Sequence, residues 1–191
     1  MKILIIGDSL TGNYGITPGK AWTELLKQDL NGSLEVKTYN GSTTADLLTI
    51  YMNEVSLCDP QRVFILGGTN DAMKLRPALN TRNNLLTMSE TLEGKGIKTV
   101  ILLPPTIDQN QAADIFSEPV EVFKQGNEGI IRLRRLLKDQ SEEHSLLVFD
   151  LEAIKQQAQR KGIQLYSDGI HFTETFHWEI YEAFKSRFTL S

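Results

Sequence analysis

Five short apolar runs punctuate the chain, each followed by a turn or a glycine-rich stretch and then by a segment of helical character. They are Ile3-Leu4-Ile5-Ile6, the alternating residues 34 to 39, Val63-Phe64-Ile65-Leu66, Val100-Ile101-Leu102-Leu103 and Leu146-Leu147-Val148-Phe149. Runs so short and so apolar predict strands buried on both faces of a parallel sheet. Helices are expected from Ala21 to near Asn31-Gly32, and from Thr43 or Thr44, either of which can serve as N-cap, to about Val55. Others should run from about Leu79 to Gly94-Lys95-Gly96, over roughly 119 to 140, after the fifth strand, and from the stretch beginning at Ser167 to about Phe188. Gly126 and Gly129 fall inside the fourth of these and predict a kink. Residues 106 to 118, polar and irregular after Pro104-Pro105, read as a long loop walling a pocket. Strands alternating with helices imply a doubly wound α/β sheet in the order 2-1-3-4-5, with strand 1 at the topological switch point.

Bulk properties narrow this picture a little. At 191 residues the chain has room for one sizeable core, so residues 1–191 are expected to form a single domain. A net charge of −4 points away from nucleic acid or an anionic membrane as the main partner. The first apolar run is too short for a signal-peptide core and no later one reaches membrane-spanning length, so a cytoplasmic location is expected. Cys58 is the single cysteine, which rules out an internal disulfide and any multi-cysteine metal site. Arg132, Arg134 and Arg135 lie inside a helical pattern and read as a solvated face.

The candidate chemistry starts at Gly7-Asp8-Ser9-Leu10, directly after the first run. Gly7 permits a tight strand exit, and Ser9 is placed to lift its hydroxyl into the crevice where open α/β sheets bind ligands. A serine attacks a carbonyl only when a base takes its proton. Of the three histidines, His144 sits in a polar run and reads as solvated, and His177 falls among the apolar repeats of the last helix and reads as structural. His171 differs, because Asp168 stands three residues before it across a glycine turn, a spacing that lets the carboxylate reach the imidazole Nδ1–H. Donors for a developing oxyanion are the Ser9 N–H, the Gly41 N–H after strand 2 and the Asn70 amide in the loop after strand 3. Asp8 and Asp71 read as carboxylates that hold loops by accepting backbone N–H groups. Trp22 is a candidate for either pocket or core.

Gly7-Asp8-Ser9-Leu10, Gly41, Gly68-Thr69-Asn70-Asp71 and Asp168-Gly169-Ile170-His171 together resemble, in order, the four blocks of the SGNH (GDSL-type) hydrolase family. The resemblance spans nearly the whole chain. It implies a flavodoxin-like three-layer α/β/α fold and an esterase, thioesterase or lipase-type activity that needs no metal or other cofactor. By position it makes Ser9 the nucleophile, His171 the base and Asp168 its partner, with Ser9, Gly41 and Asn70 forming the oxyanion hole. Phe172 and Phe176 depart from the family's usual proline or leucine after the histidine and the glycine a few residues on; they bear either on the shape of the pocket rim or on the packing of the terminal helix, the latter being the reading for Phe176.

The reading that follows is a serine ester hydrolase working through an acyl-enzyme on small acyl esters, with acetylated carbohydrates or thioesters among the candidates. A rival is a non-catalytic module whose glycine-rich strand ends hold an anion or a small metabolite, although neither phosphate-binding glycine fingerprint occurs at a strand exit. Acyl transfer to an alcohol is a third outcome of the same residues.

Overall fold

The computed structural model describes residues 1–30, 33–144 and 146–188, with backbone only at 143 and 144. The expected helix end at Asn31-Gly32 and the side chain of His144 lie outside the described residues.

Five parallel strands, β1 (Ile3–Gly7), β2 (Leu34–Thr38), β3 (Arg62–Leu66), β4 (Lys98–Leu103) and β5 (Val148–Asp150), pair in the order β2-β1-β3-β4-β5. Because successive side chains of a strand point to opposite faces, each run feeds two cores. Ile3, Ile5, Phe64, Leu66, Val100 and Leu102 pack on one face under α1 (Trp22–Asp29), α7 (Leu151–Arg160) and α8 (Glu174–Arg187). Leu4, Ile6, Val63, Ile65, Ile101 and Leu103 pack on the other under α2 (Thr44–Cys58), α4 (Ala78–Glu93) and α6 (Val120–His144). This is the doubly wound sheet expected from the periodicity, in the flavodoxin-like α/β/α arrangement that the family resemblance implies. Trp22 is fully buried in the first core, so it belongs to the packing and not to a pocket.

Two short helices appear where loops were expected. Strand β3 runs through Gly67-Gly68 straight into α3 (Thr69–Met73), and the 106–118 stretch contains α5 (Gln109–Phe116). Asp108 caps α5, its carboxylate accepting from the N–H groups of Asn110 and Gln111. Only Ala112 of that helix is fully buried, so no apolar period announced it. Helix α6 begins at Val120 and continues to His144 without interruption at its glycines. They let α3 approach closely instead: a Cβ at Gly129 would lie 3.2 Å from the Ala72 Cβ, and one at Gly126 would overlap the Met73 thioether.

Other boundaries shift for identifiable reasons. The fifth strand is three residues long and ends at Asp150, because that carboxylate caps α7 through the N–H groups of Glu152 and Ala153. Arg134 is not solvated. It lies on the buried stripe with Ile130, Leu133 and Leu137, donates to the carbonyl of Pro104 at 2.9 Å and meets Asp150 at 2.6 Å. The ladder stops after Leu103, since neither Pro104 nor Pro105 has an N–H, and the guanidinium satisfies the Pro104 carbonyl left there. Arg132 and Arg135 are exposed. Among the described residues, no helix is long and apolar enough to cross a membrane.

Gly7 ends β1 where the chain must pass close to its neighbour: a Cβ there would stand 2.5 Å from the Leu66 carbonyl oxygen and against the Thr11 hydroxyl. Gly7→Ala is therefore expected to lower stability by about 1–3 kcal/mol through overpacking against backbone that cannot yield, read from the midpoint of urea unfolding. An unchanged midpoint would mean that the strand exit is looser than described.

Candidate active site

Parallel strands put all their carboxyl ends on one rim, and β1 and β3 deliver Ser9 and Asn70 there as neighbours across the switch point. After Gly7 the chain turns tightly, with the Thr11 N–H donating to the Asp8 carbonyl and the Gly12 N–H to that of Ser9. The start of α1 holds this turn from outside. Trp22 Nε1 donates to the Leu10 carbonyl at 3.1 Å, and the Thr23 hydroxyl to that of Thr11 at 2.8 Å.

His171 approaches from the other end of the chain. Residues 165–173 form a turn closed by the Ser167 N–H on the His171 carbonyl and the Thr173 N–H on that of Leu165. The terminal helix starts only afterwards, at Glu174, with the Thr173 hydroxyl as its cap. Asp168 is thus free of helix capping. Its Oδ1 accepts the N–H groups of Ile170 at 2.9 Å and His171 at 2.7 Å, and its Oδ2 lies 2.7 Å from His171 Nδ1. Partial burial opposes ionisation of Asp168, but the imidazole bond and the two backbone bonds outweigh it and hold the carboxyl below its ordinary value. Across the crevice His171 Nε2 stands 3.1 Å from Ser9 Oγ, completing a chain of hydroxyl, imidazole and carboxylate.

Asn70, on the first turn of α3, points its amide into the same crevice. Its Nδ2 donates to the Ser42 carbonyl at 3.0 Å and, more weakly, to Asp8 Oδ2 at 3.4 Å. Gly41 stands beside Ser42 on the loop after β2, exposed, with φ of 74° and its carbonyl taken by Lys74 Nζ. Ser9, Asn70 and His171 line one cavity of about 410 Å³, with Thr69, Met73, Phe116, Glu118, Phe123 and Ile170; Gly41 does not line it. A larger cavity of about 590 Å³, between the Ile107–Gln111 segment and Gln159–Tyr166, is polar and contains neither Ser9 nor His171. Among the described residues no three His, Cys, Asp or Glu side chains gather as a metal site requires.

Asp71 and His177, near the rim, are structural. Asp71 accepts from the N–H and hydroxyl of Thr44, both at 2.8 Å, tying the start of α2 to α3. His177 is buried beside Phe172, accepts the Trp22 N–H at Nδ1, and is pushed down to about 4 by burial against a smaller opposing pull from Glu174. Sequence reasoning did not single out Tyr14, whose ring lies on that of His171, or the apolar wall formed by Met73, Phe116, Phe123 and Ile170. Phe116 fell within the expected pocket-wall segment, and that placement was its one signal.

The sheet order, the rim and the facing serine and histidine define a class, the α/β/α hydrolases built on a flavodoxin-like sheet. A model of the GDSL-like lipase/acylhydrolase family matches residues 5–178, and the chain belongs to that family. The fold is shared with a lipolytic protein of the G-D-S-L family from Veillonella parvula, at 20% identity, 98% coverage of both chains and a TM-score of 0.80. It is shared also with a lipase/acylhydrolase from Enterococcus faecalis, at 26% identity, covering 98% of this chain and 97% of that one, with a TM-score of 0.67. A catalytic mutant of the acetylxylan esterase Axe2 from Geobacillus stearothermophilus aligns at 19% identity, covering 97% and 92% of the two chains, with a TM-score of 0.73. No curated protein matches the chain.

Asp8, beneath Ser9, is completely buried. Burial pushes its carboxyl up to about 7, against the lowering effects of the Leu10 N–H, His171 and Asn70, while Asp71 adds a smaller upward push. The unfolded carboxyl titrates near 4, so between about pH 4 and pH 7 the folded chain keeps a proton that the unfolded chain has released. Stability attributable to Asp8 therefore falls as pH rises through that window. Relative to Asp8→Asn, which cannot ionise, the native chain should lose roughly 3 kcal/mol between pH values of about 4 and 7, measured by urea unfolding; parallel curves would show that Asp8 ionises normally.

Proposed function

We propose that this chain hydrolyses carboxylic esters through an acyl-enzyme formed on Ser9. His171 Nε2 takes the hydroxyl proton as Ser9 Oγ attacks the carbonyl, and Asp168 holds the Nδ1–H tautomer and stabilises the imidazolium that results. The tetrahedral oxygen is received by the N–H groups of Ser9 and Gly41 and by the Asn70 amide. For Asn70 this means turning the N–H on the long Asp8 contact toward the oxyanion while the bond to Ser42 stays. His171 then returns its proton to the leaving alcohol, and water repeats the sequence to release the acid. The observation that carries this reading is the 3.1 Å and 2.7 Å chain from Ser9 through His171 to Asp168, drawn together from positions 162 residues apart.

The cavity beside Ser9 supports a substrate with an apolar acyl chain longer than acetyl. Met73, Phe116, Phe123 and Ile170 offer carbon to that chain, and Glu118 is the one ionisable group among the lining residues apart from His171. An acetyl group would leave most of its roughly 410 Å³ unfilled. Acetylated sugars, the substrates named for the structurally similar Axe2, therefore rank below short and medium fatty acyl esters.

Two measurements test this reading. Ser9→Ala should abolish turnover of p-nitrophenyl butyrate and labelling by a serine-directed organophosphonate while leaving the circular dichroism unchanged; retained turnover would remove Ser9 from its role. Across p-nitrophenyl esters from acetyl to decanoyl, kcat/KM should rise about three- to fourfold per methylene until the cavity is filled, since each buried methylene contributes about 0.8 kcal/mol. Phe116→Ala, at an exposed ring, should flatten that gradient. A preference for acetyl, or for acetylated xylo-oligosaccharide over every fatty ester, would overturn the acyl assignment.

A further inference from the structure

His171 is held by its edges: Nδ1 by Asp168 and Nε2 by Ser9. One of its faces is held as well. The ring of Tyr14 lies over the imidazole with centroids 4.0 Å apart and planes inclined by 31°, a close, tilted stack. Tyr14 is 48% exposed, so the hydrophobic core does not account for its position. Its loop is pinned on both sides, on the near side by Asn13 Nδ2 donating to Glu24 Oε1 at 3.3 Å. The Thr17 N–H donates to Glu174 Oε1 at 3.0 Å, and the Gly19 and Ala21 N–H groups donate to Glu24 Oε2 at 2.9 and 3.1 Å. Glu174 opens α8, three residues beyond His171, and the loop is thereby referenced to the segment that carries the histidine.

We propose that Tyr14 is a positioning residue for His171, bracing the imidazole between Asp168 and Ser9 and favouring its cationic form through the face of the phenol ring. The inference rests on the reading of His171 as the general base. In that reaction the imidazole gains a proton, and so a positive charge, each time a tetrahedral state forms. A cation within about 6 Å of an aromatic centroid is attracted by the negative face of the ring. The stack therefore strengthens as the reaction proceeds, which is the condition for an interaction to raise the rate and not merely tighten binding. Tyr14 does not line the acyl cavity, so its effect is separable from substrate recognition.

The test compares the native chain with Tyr14→Phe, Tyr14→Ala and a replacement of Tyr14 by pentafluorophenylalanine, whose ring has nearly the same shape but a reversed quadrupole. Turnover of p-nitrophenyl butyrate and the rate of phosphonylation of Ser9 are followed for each. Tyr14→Phe should retain the native rates within about twofold. Tyr14→Ala and the fluorinated variant should both lose about two- to fivefold in kcat and in phosphonylation rate, with KM little changed, as expected of a half-exposed cation–π contact. A ring that only fills space would be served equally well by the fluorinated one. Equal rates for the phenyl and pentafluorophenyl variants, or a loss confined to KM, would overturn the inference. Absence of turnover in the native chain would instead bring down the reading of Ser9 and His171, and this inference with it.

Discussion

The site depends on one carboxylate and the turn that folds around it. Asp168 spends Oδ1 on two backbone N–H groups and Oδ2 on the imidazole, so the same side chain shapes the turn and orients the ring. Gly169 makes this possible. Its φ of 91° lies in the left-handed region, and a Cβ there would sit 2.6 Å from the Asp108 carbonyl oxygen and collide with the Ala112 nitrogen. The start of α5 presses directly on the turn, with the Asp108 N–H on the Gly169 carbonyl at 2.8 Å and the Gln111 amide on that of Ser167 at 3.0 Å. The histidine is thus held by an element that was expected to be only a loop.

Two histidines in neighbouring segments show how environment divides chemical roles. His177 faces an apolar surround with its Nδ1 taken by a backbone donor, and burial holds it neutral far below the ordinary range. His171 is six residues earlier, half-buried, and set between a carboxylate and a hydroxyl. Beneath the hydroxyl, Asp8 supplies the opposite kind of group, a carboxyl whose burial favours the protonated form. A charge fixed there would bias the crevice towards cations and against the anion that forms on the carbonyl.

The strands, their order and the convergence of Ser9, Asn70 and His171 on one rim were legible because they follow from local patterns. Buried runs read as parallel strands, and parallel strands share an edge. What escaped was set by tertiary contact. Helix α3 is only five residues long and α5 buries a single residue fully, so neither shows an apolar period. Arg134 kept its expected helix but turned inward, because the carbonyls at the end of β4 needed a donor and the guanidinium was in reach. Gly126 and Gly129 read as helix weaknesses by propensity, whereas the packing of α3 uses them as points of close approach.

The same division separates chemistry from specificity. The residues that meet the carbonyl lie on strand exits and one tight turn, where backbone geometry leaves little freedom and short sequence blocks carry the signal. The residues that meet the acyl chain lie elsewhere. Phe116 ends α5, Phe123 is in the first turn of α6, Met73 ends α3 and Ile170 sits inside the Asp168 turn, so the pocket wall exists only once these pieces have packed together. Two of the four, Met73 and Phe116, are on helices that the apolar pattern failed to announce. Substrate range in such a scaffold can therefore change by altering α3, α5 and the start of α6, while the hydroxyl, imidazole and carboxylate stay in register on the sheet.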